Sequence, residues 1–259
     1  MKDNTSMSKI IKIYGERNTN TNYFEKILTL NLVAEQLPGK APRRIRSIQK
    51  LLLGKEWLRD WYFKNSYADN LGWKHMQVLA ADELEEYAVL RRKVIFITIT
   101  KNPYSWLLSL HRRPYIQQYK SRKKKLAFEE FINTPWQTTA RENTDPVIIN
   151  PVTLWNIKNS SYLPLQKYNG LNLTTEGILK DPEAVINRIS NKFGIDKKSQ
   201  KFINYDKSTK DETKNFLYYQ NYYLEEKWRE DISSEAISII NKYLDRDLMD
   251  HFGYELLTD

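Results

Sequence analysis

The chain has 259 residues, 41% of them hydrophobic, and no cysteine. This composition excludes an intrinsically disordered protein, a disulfide framework, a thiolate nucleophile and a cysteine metal site. The formal net charge of +9 predicts an anionic partner, and a nucleotide cofactor, nucleic acid, an acidic polysaccharide or a membrane surface would each satisfy it.

The length fits one α/β domain over residues 1–259, with residues 1–8 as a flexible N-terminal tail. The opening sequence, MKDNTSMSK, has no apolar signal-peptide core, and no hydrophobic run approaches the length of a transmembrane helix. No repeat and no Gly/Ser-rich or Pro-rich linker divides the chain. These observations predict a cytoplasmic protein without a membrane span, and they leave its oligomeric state open.

The first predicted elements are a strand, a turn and a helix within residues 10–32. Ile10–Tyr14 is the β-branched and aromatic run of a buried strand, and from Tyr23 the apolar residues recur at helical spacing. The polar residues 16–22 between them precede the free N–H groups and the positive dipole end of a helix, where phosphate or sulfate binds in α/β proteins. Arg17 adds a fixed positive charge to this turn.

This turn does not match a Walker A sequence, because the required Gly-Lys pair is missing after Gly15. Asn20 stands where a second glycine would be expected, and asparagine tolerates the left-handed backbone conformation. Thr19 and Thr21 supply hydroxyl donors. The residues alone leave two alternatives open, an anion-binding loop and an ordinary capped helix start.

Residues 33–70 have an irregular helical pattern that is rich in aromatic side chains. Trp57 and Trp61 are four positions apart and therefore share one helical face, which we interpret as a core or lid face rather than a ligand-stacking one.

The next predicted elements are a short strand and a helix. The strand is LGWKHMQV, residues 71–78, and it carries Lys74 and His75. The helix runs from Asp82, its expected N-cap, to Arg91.

The clearest predicted strand is KVIFITIT, residues 93–100, which is apolar enough to be buried on both faces, as in a parallel sheet. Lys101 follows at its carboxyl end, where open α/β sheets bind ligands. Pro103 suits the first turn of the following helix, and Ser109 falls about two turns along that helix.

A strongly basic segment, RRPYIQQYKSRKKK, occupies residues 112–125. A solvated surface loop is the usual structure of such a charge run, and binding of a polyanionic partner is the alternative.

The C-terminal half is predicted to contain one more strand and several helices. The strand covers residues 171–174, and Asp181-Pro182-Glu183 opens a helix that Gly194 ends. Residues 213–254 are predicted to be helical, with tyrosines that we assign to packing, namely Tyr218, Tyr219, Tyr222 and Tyr223.

Three features, in their order along the chain, resemble the sulfotransferase superfamily. They are the turn at residues 15–22, then His75, then Lys101 with Ser109 eight positions later. Members of this superfamily use 3′-phosphoadenosine 5′-phosphosulfate (PAPS) and release the bisphosphate PAP. TKNPYSWLLSL resembles the family's 3′-phosphate motif, with Lys101 where arginine is usual, and residues 178–195 resemble a later helix of the family. The resemblance implies a three-layer α/β/α domain with a mostly parallel central sheet, the P-loop-like sulfotransferase fold.

The resemblance also implies roles for individual residues. His75 corresponds to the general base, and Arg17, with Lys74 in reserve, would stabilise the leaving group. Lys101 and Ser109 would hold the 3′-phosphate. The rest of the cofactor site would come from Arg17, Asn18, Thr19, Asn20, Thr21, Asn22 and Tyr23. The sequence departs from the family pattern at Asn18, at Asn20 and at Thr175, where lysine or arginine, glycine and tyrosine are usual.

We therefore predict sulfonate transfer from PAPS to a hydroxyl group, with no metal, because the donor already carries a good leaving group. A carbohydrate acceptor is suggested by the aromatic residues 57–63 and the basic residues 112–125. One alternative is a protein of the same fold that binds nucleic acid or another polyanion without transferase activity. Another is a P-loop kinase or NTPase, which the missing Gly-Lys pair and the strand ending in Lys101 argue against.

Overall fold

The computed structural model describes residues 9–258 except 53, 81–82, 85, 88–93, 115–124, 209–210 and 212. Its strands are β1 (Lys9–Gly15), β2 (Ala34–Gln36), β3 (Ile95–Thr100), β4 (Trp136–Gln137), β5 (Val147–Ile148) and β6 (Gly170–Thr174). Its α-helices are α1 (Thr21–Asn31), α2 (Arg43–Leu51), α3 (Trp57–Asn65), α4 (Tyr67–Asn70), α5 (Pro103–Arg112), α6 (Phe128–Asn133), α7 (Pro151–Tyr162), α8 (Thr175–Lys180), α9 (Pro182–Phe193), α10 (Phe216–Leu224), α11 (Ser234–Tyr243) and α12 (Arg246–Phe252). Short 3₁₀ helices cover Ala140–Glu142, Leu163–Tyr168 and Lys227–Asp231.

The central sheet has four parallel strands in the order β2-β1-β3-β6. Gly15 of β1 lies opposite Ile99 of β3, and Thr100 of β3 lies opposite Thr174 of β6. The carboxyl ends of the three longest strands therefore meet at one edge of the sheet. The three predicted strands at residues 10–14, 93–100 and 171–174 are confirmed.

Helices cover both faces of this sheet. Successive side chains of a strand point to opposite faces, and because both sets contain apolar residues here, both faces are buried. On one face Ile11, Ile13 and the isoleucines of β3 pack against α1 and α9. On the other face Tyr14 and Phe96 belong to the larger core, which includes residues of α5, α7, α11 and α12. This arrangement confirms the predicted three-layer α/β/α fold class with a parallel central sheet.

The predicted helix signals in the second half of the chain are also confirmed. The Asp181 side chain accepts a hydrogen bond from the backbone N–H of Ala184, at 2.8 Å, and caps α9. Gly194 ends that helix with a positive φ of 59°. Pro103 begins α5, and α10, α11 and α12 fill the predicted helical tail.

The prediction of a strand at residues 71–78 is wrong. Leu71 and Gly72 both have positive φ, 55° and 79°, which an extended strand does not allow. The buried ammonium of Lys12 accounts for this conformation, since it donates to the carbonyls of Asn70 and Gly72 at 2.5 and 2.6 Å. The segment is an irregular connection that is fixed by hydrogen bonds from β1.

Of the two interpretations of the Trp57 and Trp61 face, core or lid, the core one is wrong. Their side chains are 54% and 56% exposed, and α3 buries Leu58 and Phe63 instead. The predicted helix at 82–91 and the basic segment at 112–125 lie largely outside the described residues, and so do residues 1–8. In the part of the chain that is described, no helix combines the length and the apolar character needed to cross a membrane.

Candidate functional site

A cavity of about 420 Å³ opens at the carboxyl edge of the sheet. Its walls come from the turn between β1 and α1, the segment at residues 73–75, α5, and the chain from Tyr205 to Tyr223. This is the position at which open parallel sheets bind ligands. Most of the residues predicted from the sequence to form the site converge here.

The turn between β1 and α1 is tightly built. A Cβ atom on Gly15 would lie 2.8 Å from the backbone oxygen of Ile99, so glycine alone fits beside β3. Asn18 and Asn20 both have positive φ, 70° and 58°, as the sequence predicts for Asn20. The hydroxyl of Thr19 donates to the carbonyl of Glu16 at 2.6 Å and closes the turn.

Two hydrogen bonds attach this turn to the neighbouring strand ends. The indole N–H of Trp106 on α5 donates to the carbonyl of Arg17, at 2.8 Å. The hydroxyl of Thr175, which follows β6, donates to the carbonyl of Thr19, at 3.2 Å. The departure from the family pattern at Thr175 thus has a structural use, since its small side chain supports the turn.

Six of the seven predicted loop residues line the cavity, and Thr19 does not, because it is buried within the turn. The six are Arg17, Asn18, Asn20, Thr21, Asn22 and Tyr23. The α1 helix begins at Thr21, so its first backbone N–H groups have no acceptor within the helix. The ring of Tyr23 stacks on that of Phe216, with centroids 5.5 Å apart.

His75 lines the same cavity beside the turn. Its Nδ1 lies 2.5 Å from the carbonyl oxygen of Gly15, which can only accept, so Nδ1 carries the proton and Nε2 keeps its lone pair. Burial and the nearby charges of Lys74 and Arg17 hold the pKa of His75 well below its usual value, although the bond to Gly15 opposes them. The imidazole is therefore neutral at pH 7, with one basic nitrogen available.

Lys74 is buried behind α1 and does not line the cavity. Its ammonium donates to the Asn22 side chain at 2.8 Å and pairs with Glu25 at 2.6 Å. Burial lowers the pKa of Lys74 to about 7, although Glu25 opposes this shift. The structure thus gives Lys74 a contact with the loop rather than with the cavity.

Lys101 and Ser109, which the family resemblance assigns to the 3′-phosphate, are in contact with each other. The Lys101 ammonium donates to the Ser109 hydroxyl at 2.9 Å and lies 3.8 Å from the centroid of the Tyr223 ring. Ser109 and Tyr223 line the cavity, whereas Lys101 is fully buried behind them. Its charge acts on the cavity across these two side chains.

A buried ionic cluster lies beneath the turn, and the sequence analysis missed it. The Lys158 ammonium lies 2.6 Å from the Glu16 carboxylate and 2.5 Å from that of Glu142, and none of the three is exposed. It also donates to the carbonyl of His75, at 2.7 Å. Burial and the neighbouring Glu142 raise the pKa of Glu16, and Lys158 opposes that rise.

The cavity is strongly cationic. Of the described residues that line it, eight are lysine or arginine and one, Asp206, is a carboxylate. Besides Arg17, the cations are Lys40, Arg46, Arg59, Arg112, Arg113, Lys207 and Lys214. Many come from segments to which the sequence analysis gave no role, since no motif marks them. Net positive charge in a cleft favours a ligand with several negative charges.

The tyrosines assigned to packing also form a wall of this cavity. Tyr219 stacks on Tyr223 and Tyr218 stacks on Tyr222, as packing predicts. All four line the cavity, together with Tyr205 and Phe216. An aromatic wall beside cations suits a planar base that carries phosphates.

No protein-family model matches the chain, and no curated protein sequence matches it. Among solved structures, a sulfotransferase domain from the curacin biosynthetic pathway is similar over 97% of this chain and 99% of that domain, with 12% sequence identity and a TM-score of 0.46. No function follows from a similarity this distant. In the described part of the chain, no group of three or more His, Asp or Glu side chains could hold a metal ion.

Proposed function

We propose that this chain is a sulfotransferase that uses PAPS as its donor and a hydroxyl group as its acceptor. The observation that carries the proposal is a neutral histidine in a cationic cavity, next to an anion-binding turn at the carboxyl edge of a parallel sheet. His75, Arg17 and Ser109 line this one cavity. Transfer of a sulfonate group needs these elements: a base for the acceptor and positive charge for the donor.

The cavity residues fit a nucleotide that carries anionic groups at both ends. Arg17 and the N–H groups at the start of α1 would hold the 5′-phosphosulfate. Ser109, with Lys101 behind it, would hold the 3′-phosphate. The aromatic wall around Phe216 would contact the base. When bound, the donor supplies a sulfonate group on a phosphate leaving group.

Residues of the chain would accept the proton of the acceptor and stabilise the charge on the leaving group. Nε2 of His75 would accept the proton of the acceptor hydroxyl, because Nδ1 is committed to Gly15. The guanidinium of Arg17 would neutralise the negative charge that grows on the departing phosphate. A bound anion near His75 favours the imidazolium and so strengthens the base when the donor is in place.

For the acceptor we propose a carbohydrate. Phe63 and Trp73 line the cavity together with His75, and the Trp73 ring meets the imidazole edge-on at 4.9 Å. Both aromatic side chains are at most 5% exposed, so they would border a sugar without stacking on it, and the hydrogen-bonding groups beside them would contact its hydroxyls. The cations Lys40, Arg46 and Arg59 line the same cavity and would favour an acidic one.

A thermal-shift comparison tests the donor class. We expect PAP to raise the melting temperature of the full chain without Mg²⁺, and more than ADP, ATP or sulfate, because only PAP carries phosphate at both the 3′ and the 5′ position. Arg17→Ala should reduce the PAP shift, whereas Lys26→Ala, an exposed cation on α1 outside the cavity, should leave it unchanged.

Two outcomes would contradict the proposal. Equal stabilisation by every phosphate compound, combined with steeply salt-dependent binding of nucleic acid, would favour the non-enzymatic polyanion-binding alternative. Stabilisation by ATP alone, and only with Mg²⁺, would favour a kinase or NTPase.

A further inference from the structure

Exposed apolar side chains cluster on the α2–α3 surface, by which we mean the outward side of residues 43–65. Five large hydrophobic residues there are between 37% and 81% exposed, namely Ile48, Leu51, Leu52, Trp57 and Trp61. The other five tryptophans of the chain are at most 5% exposed. The two exposed indoles are therefore a local feature of this surface and not a general property of the protein.

The charges on the α2–α3 surface have one sign. The exposed charged side chains described in this segment are all cations, namely Arg43, Arg44, Arg46, Lys50, Lys55 and Lys64. The two acidic residues of the segment, Glu56 and Asp60, pair instead with the buried Arg141, each at 2.7 Å. The outward side is left both apolar and positive.

We propose that the α2–α3 surface docks on a membrane that contains anionic lipids. Tryptophan and leucine next to lysine and arginine, on helices that lie along a surface, are the composition of interfacial membrane-binding helices. The indoles of Trp57 and Trp61 would enter the boundary between headgroups and acyl chains, where tryptophan is favoured. The cations would contact lipid phosphates.

Other occupants account for the surface less well. Protein interfaces are depleted in lysine, yet Lys50, Lys55 and Lys64 surround the apolar side chains. A soluble acidic glycan would satisfy the cations, but it would leave Leu51, which is 81% exposed, in water. An anionic bilayer would bind the cations of the α2–α3 surface and would also remove its exposed apolar side chains from water.

Docking there would have a consequence for the cavity. Arg46 of α2 and Arg59 and Phe63 of α3 line the cavity. A membrane bound to these helices would therefore hold the cavity mouth near the lipid headgroups. The docking proposal does not depend on the transferase proposal, since the side chains that test it, Trp57, Trp61, Lys50 and Lys55, do not line the cavity.

Vesicle flotation of the full chain tests the proposal. We expect binding to phosphatidylcholine vesicles with about one-third phosphatidylglycerol, weaker binding to pure phosphatidylcholine, and loss of binding at high salt. Trp57→Ser/Trp61→Ser and Lys50→Glu/Lys55→Glu should each weaken binding at least roughly tenfold. The matched control is Val147→Ser/Ile149→Ser, which removes residues that are 55% and 66% exposed elsewhere.

The variants change exposed side chains, so circular dichroism and the PAP thermal shift should match those of the wild type. A folded wild-type chain that does not bind the anionic vesicles would overturn the proposal. Equal loss of binding in the Val147/Ile149 control would also overturn it. A concentration-dependent dimer that Trp57→Ser/Trp61→Ser abolishes, without vesicle binding, would assign the surface to a second copy of this chain instead.

Discussion

Two groups of charges lie within a few residues of each other at the carboxyl edge of the sheet, and they differ in how they are balanced. Beneath the turn, Lys158 is enclosed between Glu16 and Glu142, so each charge has a partner inside the protein. In the cavity above the turn, eight lysines and arginines and one carboxylate, Asp206, form the lining. Four of these cations pair with carboxylates outside the lining, namely Lys40, Arg59, Arg112 and Lys214. The buried group stabilises the frame of the site, and the lining of the cavity keeps an excess of positive charge that suits an anionic ligand.

Disruption of the buried Lys158 group should have the largest effect. Lys158→Met would leave two carboxylates buried without a cation, and we expect it to reduce the free energy of unfolding by about 3–5 kcal/mol. Urea denaturation measures this change. Lys180→Met, which removes an exposed lysine on α8, is the control and should change stability little. Equal stability of both variants would show that the Lys158 cluster does not support the fold.

The second prediction concerns His75, the proposed base. His75→Ala should lower turnover, measured as PAP release with a carbohydrate acceptor, by about 10²–10⁴-fold, while PAP binding stays unchanged. His251→Ala, which removes a surface histidine outside the cavity, should keep full activity. A fully active His75→Ala enzyme would remove this residue as the base.

The third prediction concerns the buried lysine behind the cavity wall. Lys101→Ala should weaken PAP binding by about 1.5–3 kcal/mol, the contribution of a charged hydrogen bond, as measured by calorimetry. Ser109→Ala removes the side chain through which Lys101 meets the cavity, and it should weaken PAP binding in the same direction. Unchanged affinity in both folded variants would leave the 3′-phosphate without its proposed site.

The smallest effect is on a titration. The positive charge of Lys74 contributes to the low pKa of His75, so Lys74→Met should raise that pKa. The His75 imidazole should stay neutral above its folded pKa and become protonated only at a pH below that of an ordinary histidine. NMR titration of ¹⁵N-labelled histidines, with His75→Ala to assign the signal, measures both values. A His75 pKa at or above 6.5 in the wild type would contradict the burial argument.

The sequence predicts those helices and strands that are determined by residues close to them along the chain. Continuous β-branched runs define β1 and β3, and Asp181, Pro182 and Gly194 mark both ends of α9. The proximity of Lys101 and Ser109 has a local cause too, since Lys101 directly follows β3 and Ser109 lies about two turns into the next helix. In each case the deciding interactions lie within about ten residues.

Distant contacts explain what the sequence does not predict. Residues 71–78 alternate like a strand, but the Lys12 ammonium, from β1, holds their backbone in a left-handed turn. Glu16 directly after an apolar strand is the only sequence signal of the buried cluster, and nothing marks Lys158 as its partner. The sequence does not indicate that Trp57 is exposed either. Helical spacing shows which residues share a face of a helix, but it does not show whether that face points to the core or to the solvent.

The hydroxyl of Ser109 accepts from Lys101 and at the same time donates its single proton to the carbonyl of Ser105, at 2.9 Å. A phosphate oxygen that arrives at Ser109 would have to compete with that carbonyl for the proton. The carbonyl can give it up at little cost, because the backbone N–H one helical turn later still satisfies it. Rotation about one side-chain bond would then direct the Ser109 hydroxyl proton to the phosphate, and the helix itself would not need to move.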